Sequence, residues 1–111
     1  MDKSALDKIK NIEQRFFEVE KLMSDPNNAS DVQKITKLAK EHSELKKIVN
    51  LYQEINNKSS QLKDLQIIIK EEKDSELIDL AKEDVLSLEK DIESLNEDLQ
   101  EQLIPKDVRD K

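Results

Sequence analysis

The chain carries one histidine, no cysteine, 26 Asp or Glu and 19 Lys or Arg among its 111 residues. Catalysis or metal binding at His42 would require converging partners, and no second His and no Cys exists to supply them. His42 also falls on an apolar stripe between Leu38 and Leu45. A packed edge residue is the stronger reading there. The carboxylates could in principle form an acid–base pair, but that needs buried environments that split their pKa values. Helix faces dense in exposed acids do not provide such environments. Phe16, Phe17 and Tyr52 are the aromatics, and Phe16 and Tyr52 sit at core spacing, which disfavours a base-stacking platform. No catalytic residue, metal ligand, cofactor site or small-molecule site emerges from these residues.

Charge is the remaining chemistry. The net charge of −7 is unevenly spread: residues 1–30 carry −1, residues 31–70 carry +3, residues 71–101 carry −10 and residues 102–111 carry +1. Lys34, Lys37, Lys40, Lys46 and Lys47 cluster near the start of the basic segment. One reading is a surface that faces RNA or phosphate, because neutralised phosphates dominate such binding. The plainer one, a solvated helix face paired with neighbouring acids, weighs more on the residues alone. The acidic segment suits a basic protein partner or plain solubility rather than nucleic acid.

These residues must be positioned by helices. Glycine is absent, so neither Gly-rich phosphate loop can form and tight hairpin turns are disfavoured. Three runs of heptad-like spacing follow one another. The first steps through Ile9, Ile12, Phe16, Val19 and Met23, the second through Ile35, Leu38, His42, Leu45, Val49 and Tyr52. The second continues less cleanly through Ile55, Ser59, Leu62, Leu65 and Ile69. The third steps through Leu77 or Ile78, Ala81, Val85, Leu88, Ile92, Leu95, Leu99 and Leu103. Helices are expected over about residues 4–25, 31–72 and 75–104, with residues 105–111 as an exit linker after Pro105.

Ser4 is a candidate cap for the first helix, and Ser30 with Gln33 resembles a capping box for the second. Asp25-Pro26 ends the first run, and Asn27 and Asn28 tolerate left-handed geometry there. The polar patch INNKSSQ, residues 55–61, is the candidate bend. Short connections between heptad helices predict an all-α fold, an elongated antiparallel three-helix coiled-coil bundle. With no long apolar run and no signal-like N-terminus, a soluble, cytoplasmic chain without a membrane partner is expected.

The order of motifs then adds a resemblance. SDVQKITKLAKEHSELKKIVNLYQE, residues 30–54, resembles the N-terminal helical domain of bacterial class-I peptide chain release factors. The family's Lys-Glu-Tyr-Ser-Glu-Leu core reads here Lys40-Glu41-His42-Ser43-Glu44-Leu45, followed by Ile48-Val49 and Tyr52. His42 replaces the family's Tyr. Residues 12–26 are similar to the first helix and its Asp-Pro stop, and residues 75–107 to the third helix and exit. The ending through Leu103, Pro105, Asp107 and Asp110 resembles members that read UAA and UAG.

The resemblance implies a role in translation termination. The partners it implies are the ribosome, at the base of its GTPase-associated stalk, and the class-II release factor GTPase. It implies further that catalytic and decoding domains lie beyond this segment, since a chain without glycine cannot hold their Gly-Gly-Gln loop. The fragment alone is therefore expected not to be an enzyme. A generic coiled-coil adaptor or tether is the rival reading. A tRNA-binding arm fits less well, because the tip around Glu71, Glu72, Asp74 and Glu76 is acidic.

Overall fold

The computed structural model describes residues 3–104. The fold is all-α, with no strand among the described residues. Four helices follow in order: α1 (Lys3–Ser24), α2 (Pro26–Ala29), α3 (Val32–Glu71) and α4 (Ser75–Leu103). The expected exit linker, residues 105–111, lies outside the described residues. The chain divides into two compact units, residues 1–50 and 51–111.

In the first unit, α1 and the beginning of α3 form a helical hairpin through α2. Ile9 and Val19 of α1 are fully buried, and Leu38, Ile48 and Val49 of α3 nearly so. Completely burying such a side chain is worth roughly 1.5–3 kcal/mol, so these few positions dominate this small core. Phe16, Leu45 and His42 are half-buried on the same stripes.

The turn between α1 and α3 differs from the expected left-handed asparagines. No described residue has a positive φ. Asp25 instead caps a single helical turn, its carboxylate accepting the Asn27 N–H at 2.9 Å with Pro26 at the first helical position. Asn28 is buried, and its side-chain amide donates to the Leu22 carbonyl at 2.9 Å. That bond satisfies one of the carbonyls left over at the end of α1. An extra turn of helix plus an amide cap therefore replaces the glycine-like turn.

Two caps also shift. Ser4 lies inside α1 and cannot cap it. Ser30 belongs to the end of α2, so the cap of α3 passes to Asp31, whose carboxylate accepts the Lys34 N–H at 3.1 Å.

In the second unit, the rest of α3 and α4 form an antiparallel hairpin. Asp74 caps α4 by accepting the Glu76 N–H at 2.9 Å, while Glu72 Oε1 accepts the N–H groups of Lys73 and Asp74. Lys58 Nζ lies 3.4 Å from Asp91 Oδ2, on the facing helix. Residues 55–61 show no break: α3 is helical throughout them. Asn and Ser cost only about 0.5 kcal/mol each in a helix interior, and buried Ile55 with half-buried Leu62 anchors the stretch. Ile78, not Leu77, takes the seam position, since Leu77 is 47% exposed. Leu99 of α4 is fully buried.

Candidate functional site

All five lysines of the basic segment are exposed on α3 in the first unit. Helical spacing separates them into one row and two flanks. Lys37 and Lys40 stand three apart and Lys40 and Lys47 seven apart, which aligns them on the face turned away from Leu38 and Leu45. Glu44 stands four after Lys40 and seven after Lys37, inside the same row. Lys34 and Lys46 fall towards opposite edges of the seam. None of the five makes an ion pair within 4.0 Å with another described residue. The expected cluster is thus a row of three cations flanked by two more.

Behind that row, side chains of α1 hold α3 in place. The Arg15 guanidinium meets Glu41 with both edges, Nε to Oε2 at 2.6 Å and Nη2 to Oε1 at 2.8 Å. Arg15 also reaches Glu18 on its own helix at 3.3 Å. The Arg15 hydrogen bond holds the Glu41 carboxyl below the usual glutamate range, and the Arg15 pKa is raised in turn, chiefly by its bond to Glu41. Both side chains keep about two-fifths of their surface or somewhat less open to water, so solvent screens the pair. This clamp escapes a reading based on apolar spacing. Its signal is Arg15 itself, the arginine beside core position Phe16, where lysine is used elsewhere along α1.

His42 packs as a seam-edge residue. Its ring stacks on Phe16, with centroids 4.7 Å apart and planes 23° from parallel. Nε2 lies 3.2 Å from Glu20 Oε2. Phe16 meets Phe17 edge-on at 6.0 Å. One stacked ring and one carboxylate against a part-exposed imidazole fix its orientation. Among the described residues, no group of three His, Cys, Asp or Glu could hold a metal ion. No helix among the described residues is long and apolar enough to cross a membrane.

Helical hairpins braced by side-chain clusters, with a row of exposed lysines on α3, define a protein of the all-α class. The PCRF domain model matches residues 12–111. The chain belongs to that family and corresponds to the N-terminal domain of a factor of the release-factor-1 type. It is 37% identical over 105 residues to peptide chain release factor 1 of Bacillus subtilis (strain 168), covering 95% of this chain and 30% of that protein. The Bacillus licheniformis peptide chain release factor 1 gives the same identity and coverage. That of Staphylococcus epidermidis is 32% identical over 104 residues, 94% of this chain and 29% of the relative. The chain therefore spans about 30% of the length of the curated relatives it matches. No solved structure matches it.

Proposed function

We propose that this chain serves translation termination as the non-catalytic N-terminal domain of a factor directing release at UAA and UAG codons. Alignment with peptide chain release factor 1 across 95% of the chain is the observation that carries this reading. Residues 1–104 act as the helical domain and residues 105–111 as the exit towards catalytic and decoding domains. The working compartment is the cytoplasm.

The surface offered to the ribosome is the row Lys37, Lys40 and Lys47, with Lys34 and Lys46 beside it. Lysine acts on RNA phosphate as a point charge and releases condensed counterions, so this contact is electrostatic and salt-sensitive. Glu44 within the row keeps the patch moderate in strength. The partners are the base of the GTPase-associated stalk and, through it, the class-II release factor GTPase. The domain supplies reach and docking, and the hydrolysis of peptidyl-tRNA belongs to the Gly-Gly-Gln loop that a glycine-free chain lacks.

The test is a release assay on ribosomes programmed with a UAA codon. The chain alone should give no peptidyl-tRNA hydrolysis, yet should compete with an intact release factor for termination complexes. Release by the chain alone, or absence of any competition, would overturn the proposal.

A further inference from the structure

The second unit leaves an apolar surface that the lysine row does not explain. Two packed helices cannot enclose their own seam, because each seam side chain needs neighbours on both sides. Between Leu62 and Ile92, Ala81 is buried, while Leu65, Leu88 and their seam neighbours stay half-buried. On one flank the seam opens into a cleft of about 450 Å³, where Leu65 and Leu88 lie between Asp64 of α3 and Asp84 of α4.

Helical spacing extends that flank towards the α3–α4 connection. Ile68 follows Asp64 by four residues, and Leu80 and Leu77 precede Asp84 by four and seven. These three are 43%, 57% and 47% exposed. Cleft and exposed residues thus form a continuous apolar strip with carboxylates along it. Lys58, seven residues before Leu65, already pairs with Asp91.

We propose that this strip receives a basic amphipathic helix from a partner protein. Its apolar side would cover Ile68, Leu77 and Leu80 over the Leu65–Leu88 floor, completing a local three-helix packing. Its Lys or Arg residues would meet Asp64 and Asp84. Charge complementarity selects this occupant: residues 71–101 carry −10, which repels RNA phosphate and a second copy of the same acidic helix, and attracts a cationic one. The site is distinct in place and chemistry from the lysine row, so it stands or falls separately from the ribosome reading.

The probe is a designed peptide of about 18 residues, roughly 27 Å as a helix, with leucine on one face and lysine on both flanks. Two controls keep its length: one with serine for leucine, one with glutamate for lysine. Amide NMR correlation spectra of the chain should show saturable shifts at Asp64, Leu65, Ile68, Leu77, Leu80 and Asp84, with both controls bound far more weakly. Leu80→Ser and Asp84→Lys, both at exposed positions and checked for unchanged helicity, should each weaken binding about tenfold, the scale of one lost anchor or paired charge. Lys37→Glu should leave it unchanged. Shifts scattered outside this strip, no saturable binding, or equal binding of the glutamate peptide would overturn the proposal. So would sedimentation of the free chain as a dimer that Leu80→Ser dissociates, since a second copy would then be the occupant.

Discussion

Arg15 and Glu41 face each other across the first hairpin in a two-point clamp, with separations of 2.6 and 2.8 Å. An arginine fork matches a carboxylate in this way, and lysine cannot reproduce it. The clamp ties α1 to the stretch of α3 that carries the lysine row.

The lowered pKa of Glu41 links this clamp to pH. In the unfolded chain a glutamate titrates near 4.3, and in the folded chain Glu41 titrates below that. Its stabilisation is therefore fully present above the unfolded value and lost as pH falls through the folded one. Thermal melts of wild type and Glu41→Gln should differ most near neutrality and converge as the solution is acidified until Glu41 is protonated in the folded chain. A gap that widens with acid would contradict the clamp.

Leu99 and Leu86 make a matched pair on α4, one fully buried and one 64% exposed. Leu99→Ala should cost about 2–5 kcal/mol, the range for emptying a packed leucine site. Leu86→Ala should stay within about 0.5 kcal/mol. Urea unfolding followed by circular dichroism measures both, and equal losses would refute the core assigned to α4.

Leu88 tests the seam of the second hairpin differently. It is half-buried and lines the same cleft as Asp64 and Asp84, so Leu88→Asp adds a third carboxylate to an already acidic flank. The substitution combines lost apolar burial with like-charge repulsion and should lower stability by at least about 2 kcal/mol. Unchanged helicity and melting would contradict the seam.

His42 stacks on Phe16 and meets Glu20. Tyrosine at this position offers a ring to Phe16 and puts a phenolic hydroxyl in place of the imidazole nitrogens, one of which meets Glu20. His42→Tyr should hold stability within about 1 kcal/mol, whereas His42→Ala, which removes the stacked ring, should fall further. The reverse order in thermal melts would show that the nitrogen, not the ring, matters.

Apolar spacing made the helical class and the seam legible, because positions such as Ile9, Val19, Leu38 and Leu99 repeat at the period that buries one face. Polar detail was less legible. Asn28 could be read as a left-handed residue because its side-chain partner, the Leu22 carbonyl, is specified only once the chain turns. Ser30 looked like a cap for α3 until α2 absorbed it and Asp31 took the role. The Arg15–Glu41 clamp spans 26 residues of sequence, and no local pattern encodes such a pairing. The lysines were visible as a cluster, but their division into a row and two flanks follows from helix geometry.

The proposed docking of this domain on the ribosome through a lysine face of α3 is tested by ribosome co-sedimentation across a salt series. The chain should pellet with ribosomes at low salt and be released as salt rises. The triple variant Lys37→Glu, Lys40→Glu, Lys47→Glu should remain in the supernatant with helicity intact. Neutralisation of the same three lysines to Gln should flatten the dependence of log affinity on log salt by about 2–3, near one per phosphate contact. Pelleting of the charge-reversed variant equal to that of the unaltered chain would contradict it.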